Sequence, residues 1–247
     1  MDYIKQYSGL TPQELRQLSY KRRYKSEVPA WDDSMVLLTK LVGDRLGSTP
    51  DVLDLGCGRG NFVLDELGEV FGRKVGFDVS SSETDGNKSV RELVFGDAKK
   101  LPFPDASFDL VVSLWVLEHI AEPEQVFAEI TRVLKPGGRF AFVTPNSKSA
   151  LILLRSFMSQ GLADRLLKKY YGREEHDVFP VCYLANDKKS LCKLAQKTGL
   201  IPVVLRQNAD PSYTSFNEVT YRASKLFSRI PWSFSRPHIV GVFQKVS

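Results

Sequence analysis

The nine residues from Val52 to Gly60, VLDLGCGRG, constrain this chain more than any other stretch. A short apolar run containing an acid ends in glycines at every second position, which predicts a strand that enters a tight turn. Residues 61–70 then fit the start of a helix. Because the amide groups at a helix start carry partial positive charge, this strand–turn–helix unit predicts a cradle for a nucleotide.

The glycine spacing distinguishes two kinds of cradle. A dehydrogenase-type turn needs G-x-G-x-x-G, but Asn61 occupies the position of its third glycine. With Asp54 ahead of it, the G-x-G-x-G spacing resembles the first motif of the class I S-adenosylmethionine (SAM)-dependent methyltransferases. A glycine-rich turn without a ligand is the alternative. The resemblance implies that SAM contacts Asp54, Gly56, Cys57, Gly58 and Gly60.

A second strand is predicted over 74–78, and Asp78 lies at its carboxyl end, followed by Val79. A carboxylate there can accept hydrogen bonds from both ribose hydroxyls of a nucleotide, which does not separate SAM from NAD. We include Val79 among the cofactor contacts. The polar connection over 80–90 is short, so the helix expected before the third strand, 91–95, is truncated.

The block GDAKKLPFPDASFD, residues 96–109, closely resembles a segment of methyltransferases related to the quinone-biosynthesis enzymes. The resemblance implies that Asp97 accepts a hydrogen bond from the adenine amino group and that Ala98 presents its backbone amide to the ring. A simple turn-forming role for Asp97 is the alternative. The block leads into a fourth strand over 110–114.

The string SLWVLEHI, residues 113–120, resembles the "LEH" motif of the same family. Strand ends on this edge are where open α/β sheets bind ligands, so Leu114 and Trp115 are candidate cofactor contacts and His119 is a candidate catalytic residue. Alternatively, His119 has a structural role next to the methionine moiety of SAM. Some quinone O-methyltransferases bind a metal through an extra Glu where this chain has Trp115, so no metal site is predicted.

A helix over 122–134, the turn LKPGG and a strand over 139–144 complete a resemblance that covers about residues 50–145. It implies an α/β fold with a Rossmann-like seven-stranded sheet, the last strand antiparallel, and helices on both faces. We expect a single domain, with an N-terminal helical lid over 1–48, a SAM-binding core over 49–146, and acceptor-pocket insertions after strands 5 and 6 within 147–247.

The N-terminal segment is predicted to form two helices. The first, over 11–20, begins with the capping pattern Thr-Pro-Gln-Glu and ends in a solvated basic cluster over 21–25. The second, over 33–46, has an apolar face that should pack on the sheet. In methyltransferases of this type such a segment often covers the cofactor, which makes Tyr20, Tyr24 and Trp31 candidate lid residues.

Downstream of the core the resemblance thins. Residues 149–171 are apolar and then basic, which predicts a packing helix or, alternatively, contact with a membrane surface or lipid-linked acceptor. His176 follows in an "H-x-x-F" setting that lines the acceptor pocket in related enzymes, where it could act as a general base; solvent exposure is the alternative. Aromatic and basic residues alternate over 207–237, which fits a core with snorkelling cations or a stacking surface. His238, at the start of a last strand, is assigned a structural role.

The composition excludes several classes. Hydrophobic residues make up 43% of the 247 residues, as in ordinary globular proteins, and no apolar stretch is long enough to span a membrane. Three cysteines without a C-x-x-C pair indicate no disulfide framework and fit the cytoplasm. A net charge of +5 is a weak signal for nucleic acid, and the D/N-P-P-Y/F motif of many amine-directed nucleic-acid enzymes is missing after strand 4.

The sequence therefore predicts a SAM-dependent methyltransferase whose acceptor is a hydroxyl oxygen of a small, sugar or lipid-linked molecule. An RNA-directed methyltransferase and a non-catalytic SAM-binding or nucleotide-binding module are the alternatives.

Overall fold

The computed structural model describes residues 11–44, 46–158, 161, 165 and 180–246. Among these residues, helices α1 to α7 are Pro12–Glu27, Ser34–Gly43, Phe62–Leu67, Pro123–Val133, Ala150–Ser156, Lys188–Thr198 and Glu218–Phe227. Strands β1 to β7 are Val52–Leu55, Lys74–Asp78, Glu92–Phe95, Phe108–Leu114, Leu134–Pro145, Leu200–Asn208 and His238–Lys245. Short 3-10 turns include Ser81–Thr84, Leu117–His119, Pro211–Thr214 and Ser233–Ser235.

The seven strands form one sheet in the order β3-β2-β1-β4-β5-β7-β6. Strands β3, β2, β1, β4 and β5 pair in parallel. The last strand is antiparallel: Gln244, near the end of β7, donates a hydrogen bond to the carbonyl of Gly137, near the start of β5. The predicted Rossmann-like fold is confirmed. Chain order reverses between β1 and β4, the point at which such sheets bind ligands beyond the carboxyl ends of their strands.

Two hydrophobic clusters cover the two faces of the sheet. Alternate residues of one strand belong to different clusters, as Leu53 and Val52 do, because successive side chains point to opposite faces. Helices α4 and α6 contribute Ile130 and Leu191 to one cluster. Helices α2 and α3 contribute Leu38 and Leu64 to the other. Helix α2 thus packs on the sheet as predicted.

Helix α1 is longer than predicted. The capping box is present, since the Thr11 hydroxyl accepts the amide of Glu14 and the Glu14 carboxylate accepts the amide of Thr11. The helix then continues through the basic cluster to Glu27. The prediction of a solvated helix end was wrong for Lys21, whose ammonium pairs with the buried carboxylate of Asp33 at 2.7 Å.

Several predicted boundaries also shift. Helix α3 stops at Leu67 because Gly68 takes a positive φ of 39° and a 3-10 turn continues to Val70. Strand β5 begins at Leu134, so the LKPGG segment lies within the strand that it was predicted to precede. The truncated connection after β2 is present as the 3-10 turn Ser81–Thr84.

The chain divides into two compact units. The sheet unit comprises residues 34–145, 181–206 and 239–247, and the helical unit comprises residues 1–33, 146–180 and 207–238. The described residues of the N-terminal segment up to residue 33 and of both predicted insertions thus contribute to the helical unit, whereas α2 belongs to the sheet unit. No helix in the described part of the chain is both long and apolar enough to cross a membrane.

Candidate functional site

The glycine turn after β1 is closely packed at Gly56 and has open space at Gly58. Gly56 has a φ of 73°, and a Cβ added there would lie 2.3 Å from the Cγ2 of Val116. Gly58 has a φ of 44°, and a Cβ there would meet no atom within 4 Å. Glycine is thus required at the first position by packing and at both by backbone conformation. The open side leaves room for a ligand against the main chain.

Polar side chains from the connection before β3 fix this turn. The amide of Asn87 donates to the carbonyls of Cys57 and Gly58, at 3.2 and 2.7 Å. The hydroxyl of Ser89 accepts the backbone amide of Asn61 at 2.8 Å. Sequence reasoning missed both residues. The feature that could have identified them is the polar composition of a connection that is too short to form a helix.

Asp54 lies under the turn and is almost fully buried. Its Oδ1 accepts a hydrogen bond from the Asn61 side-chain amide at 2.7 Å, whereas Oδ2 has no hydrogen-bond partner among the described residues. Burial raises the pKa of Asp54 to about 7; the Asn61 bond opposes this shift, and the Asp78 charge adds to it. A cationic group at Oδ2 would satisfy the orphaned oxygen and favour the ionised form.

Asp78 ends β2 beside the turn. Its Oδ2 accepts the amide of Gly58 at 2.8 Å and its Oδ1 accepts the amide of Val79 at 2.7 Å, while the Val79 side chain is exposed. Each carboxylate oxygen has a second lone pair and can accept a further bond. The carboxylate therefore both holds the turn and can bind a ligand hydroxyl.

Asp97 follows β3, the next strand of the sheet. The carbonyl of Asp78 accepts the amide of Gly96 at 3.0 Å, which places Asp97 at the same edge as Asp78. Its Oδ1 accepts the amide of Lys99 at 2.9 Å, and its side chain is otherwise largely exposed. Ala98 is partly buried against the core. The acids Asp54, Asp78 and Asp97 thus lie in or directly after three adjacent strands.

Trp115 carries an unusual backbone conformation at the end of β4. Its φ is 60°, and its amide donates to the carbonyl of Val143 at 3.0 Å. Leu114 and Trp115 are both partly buried against the second hydrophobic cluster. A positive φ costs a bulky residue on the order of 1–3 kcal/mol, and such strain concentrates at ligand sites. The contacts of both residues with SAM stay predictions.

Glu118 is a buried carboxylate that sequence reasoning did not select. Its Oε2 accepts the Thr144 hydroxyl at 3.2 Å, and that hydroxyl in turn accepts the Asn186 amide at 2.5 Å. Its Oε1 lies 4.0 Å from the Nε2 of His119, whose side chain is partly exposed. In the sequence, the "LEH" string is the feature that could have identified Glu118. The structure brings the imidazole of His119 next to a fixed acid.

The other two histidines differ from His119. His176 lies outside the described residues, so its predicted role as the base stays a prediction. His238 is buried and its ring stands edge-on to Tyr213, with ring centres 5.1 Å apart. Burial, the largest cause, lowers the pKa of His238 to about 4 and keeps it neutral, consistent with a structural role.

Candidate metal ligands and reactive thiols among the described residues are the histidine, acidic and cysteine side chains. No group of three or more histidine, cysteine, aspartate or glutamate side chains there could hold a metal ion. The predicted absence of a metal site stays a prediction. Burial raises the pKa of the Cys57 thiol to about 12, and the charges of Asp54 and Asp78 add to the shift. Cys57 therefore remains a neutral thiol under the turn.

A surface cavity of about 210 Å³ lies elsewhere in the sheet unit. Its lining includes Val42, Asp109 at the start of β4, and Gly138. These positions are at the amino-terminal edge of the parallel strands, opposite the glycine turn. The cavity is therefore separate from the candidate site.

The residues around the glycine turn fit SAM. SAM carries an ammonium group that suits the orphaned oxygen of Asp54, and ribose hydroxyls that suit the remaining acceptor positions of Asp78. The open space beside Gly58 would let the ligand lie against the backbone. The predicted cofactor is therefore supported by the site.

Comparison with known proteins agrees with a site for SAM, because similar proteins include methyltransferases. Residues 53–142 match the family model described as "Methyltransferase domain". The chain is 27% identical over 198 residues to sterol 4-C-methyltransferase of Caenorhabditis elegans, covering 76% of this chain and 54% of that protein. It is 36% identical over 100 residues to a demethylmenaquinone methyltransferase of Symbiobacterium thermophilum, covering 36% of this chain and 40% of that protein. The chain thus spans about half or less of the length of these relatives.

Solved structures share the fold. Geranyl diphosphate C-methyltransferase from Streptomyces coelicolor A3(2), solved with Mg²⁺, geranyl diphosphate and S-adenosylhomocysteine, aligns with a TM-score of 0.56 at 16% identity. The alignment covers 85% of this chain and 78% of that one. At this level of identity the likeness concerns the fold.

Proposed function

We propose that this protein, whose residues 53–142 match a methyltransferase domain, is a class I SAM-dependent methyltransferase that transfers a methyl group from SAM to a small-molecule or carrier-linked acceptor. One observation carries the proposal. Asp54 lies in β1, Asp78 ends β2 and Asp97 follows β3, and these three adjacent strands surround a glycine turn that is open above Gly58.

The residues of the chain act mainly by binding and alignment. SAM supplies an electrophilic methyl group on its sulfonium, so the protein has to orient the acceptor atom and exclude water. Asp78 would hold the ribose, Asp97 the adenine and Asp54 the ammonium end. Glu118, fixed by Thr144, would orient the imidazole of His119.

A hydroxyl oxygen is the acceptor atom that we propose first, as the sequence predicts. Carbon is the second candidate, because the name of one relative, sterol 4-C-methyltransferase, specifies it. The D/N-P-P-Y/F string is missing after β4, which argues against one class of nucleic-acid methyltransferases, and an RNA-directed enzyme stays the alternative. The three unpaired cysteines support activity in the reducing cytoplasm.

The proposal is tested in two steps. Calorimetry should first show that the protein binds SAM and S-adenosylhomocysteine. The protein is then incubated with SAM carrying a ¹³C-methyl group and a panel of hydroxylated, quinonoid and isoprenoid metabolites. Methyl signals of products fall in separate NMR regions for oxygen and carbon acceptors, so the acceptor atom is read directly. Binding without any product would favour the non-catalytic module, and product on RNA alone would favour the RNA-directed alternative.

The proposed base is tested with a pair of variants. We expect His176→Ala to lower kcat by about 10²- to 10⁴-fold with little change in SAM affinity, the usual effect of a lost general base. His119→Ala should mostly weaken cofactor binding. Both are assayed with the identified acceptor. A reversed pattern would assign the base to His119, and two near-normal kcat values would mean that alignment alone drives the transfer.

A further inference from the structure

The helical unit exposes several large apolar side chains. Phe157, just after α5, is 87% exposed, and Trp232, after α7, is 65% exposed. Both have apolar neighbours that are exposed as well. We call these six residues the apolar patch: Leu153, Leu154, Phe157, Leu226, Phe227 and Trp232. Large exposed apolar groups that cluster mark an interaction surface.

Hydrogen bonds join the two segments that carry the apolar patch, residues 146–158 and 219–237, and ring contacts order the second segment. The buried amide of Asn146 donates to the carbonyls of Ser233 and Arg236, at 2.9 and 2.7 Å. This ties the chain just before α5 to the 3-10 turn Ser233–Ser235, against which α5 also packs. Within that turn, Phe234 contacts the rings of Phe227 and Trp232, with ring centres 5.4 and 5.5 Å apart.

The two segments that carry the apolar patch contain more basic than acidic side chains. Residues 146–158 contain Lys148 and Arg155, residues 219–237 contain four more basic side chains, and neither range contains Asp or Glu. Two of the four are neutralised, since Arg222 pairs with Glu218 and Lys225 with Glu27. Lys148, Arg229 and Arg236 form no ion pair with any described residue. The two segments that carry the apolar patch thus also carry three basic side chains that have no ion-pair partner among the described residues.

We propose that the apolar patch docks on an anionic membrane surface, with Phe157 and Trp232 entering the interfacial layer and Lys148, Arg229 and Arg236 facing lipid phosphates. Aromatic side chains favour the boundary between headgroups and acyl chains, and basic side chains are attracted by the negative surface potential. A symmetric dimer through the same patch would bring its positive charges against those of the second copy. The docking does not depend on methyl transfer.

The test is co-sedimentation of the full chain with vesicles. Vesicles of phosphatidylcholine and phosphatidylglycerol in equal parts should bind the protein, and added salt should weaken the binding; vesicles of phosphatidylcholine alone should bind it much less. Phe157→Ser combined with Trp232→Ser should lower partitioning at least about tenfold, because both changes remove apolar surface that enters the bilayer. Arg229→Gln should lower it about fivefold.

Ile201→Ser is the matched control, because Ile201 is also half exposed but lies on β6 in the sheet unit. It should bind the anionic vesicles like the unmodified chain. Circular dichroism confirms that each variant is folded. Equal binding by the double variant, or equal binding to both vesicle types, would overturn the proposal. So would an absence of vesicle binding, including the case in which light scattering shows a dimer that the double variant abolishes. Unchanged SAM affinity in the double variant keeps this test separate from that of the methyltransferase.

Discussion

At the scale of single residues, Asp78 is the sharpest test of the cofactor site. Its carboxylate accepts the amides of Gly58 and Val79, so it both shapes the turn and presents its remaining lone pairs. We expect Asp78→Ala to weaken SAM and S-adenosylhomocysteine binding by about 2 kcal/mol or more through the loss of the ribose contacts. Calorimetry measures both affinities.

Asp105→Ala serves as the control for Asp78→Ala. Asp105 is an exposed aspartate at the amino-terminal edge of the sheet, where it pairs with Arg132. Its replacement should leave both affinities unchanged. If Asp78→Ala bound both ligands normally, the assignment of the ribose contact would be wrong.

Replacing Asp97 distinguishes a role in ligand binding from a role in turn formation. Its side chain accepts one amide, that of Lys99, and is otherwise largely exposed. We therefore expect Asp97→Ala to keep the melting temperature nearly unchanged and to lower the affinity for SAM. Adenosine, as a fragment, should lose affinity as well, because the change acts on the adenine. A variant that unfolds, but whose folded fraction binds normally, would assign Asp97 to the turn.

The sequence predicted these acids and missed the groups that position them. Asp54 and Asp78 lie within short apolar strands, and Asp97 follows one, so local pattern and resemblance sufficed. Asn87 acts through a side-chain bond to the carbonyl of Gly58, and Glu118 through a bond from Thr144. Such contacts join residues far apart in the chain and leave no periodic signal.

At the scale of elements, α1 is anchored by an ion-pair cluster inside the helical unit. The Lys21 ammonium lies 2.7 Å from Asp33 and 3.2 Å from Asp210, and both carboxylates are buried. Burial opposes the charge of Lys21, but Asp210 and Asp33 outweigh it and hold the pKa of Lys21 above its ordinary range. The cluster explains why α1 extends past residue 20.

We expect Lys21→Met to destabilise the helical unit by on the order of 3 kcal/mol, because two buried carboxylates lose their cation. Urea denaturation measures the loss. Lys193→Met, on an exposed position of α6, is the control and should have little effect. Adding Asp33→Asn to Lys21→Met should restore part of the stability. A loss equal to that of the control would mean that the cluster contributes nothing.

The sequence predicted which helices and strands form better than it predicted the residues at which they begin and end. β2 has the predicted bounds, because its apolar run ends at a polar residue. The end of α1 was missed because it depends on carboxylates far along the chain. The start of β5 was missed because proline and glycine were interpreted as a turn, whereas the structure continues the strand through them.

At the scale of the whole molecule, the sheet was predictable and the helical unit was not. The sheet follows from motifs that occur in order along residues 50–145. In the helical unit, segments far apart in the chain are joined by contacts such as the bidentate pair of Arg23 with Glu218 and the hydrogen bond between Tyr24 and Ser228. The candidate lid residues belong to it: Tyr20 stacks on Tyr221, and the Trp31 indole donates to Ala209.

Two buried groups give the stability of the molecule opposite pH dependences. In the sheet unit, the pKa of Asp54 is raised to about 7, so from about pH 4 to 7 the unfolded chain loses a proton that the folded chain retains, and stability falls as pH rises. In the helical unit, the pKa of His238 is lowered to about 4. From about pH 6.5 down to 4, His238 takes up a proton in the unfolded chain but not in the folded chain. Stability therefore falls as pH falls.

Two substitutions should separate these contributions. Between pH 4 and 6.5 we expect Asp54→Asn to make the melting temperature fall more steeply with acid than in the unmodified chain, because the contribution of His238 is no longer opposed. His238→Gln should have the opposite effect, and Asp105→Asn, on the surface, should have neither. Calorimetric scans across this range measure all four proteins. If the two units melt separately, Asp54→Asn should move the transition of the sheet unit and His238→Gln that of the helical unit. Parallel pH profiles for the first two variants and the unmodified chain would contradict both shifts.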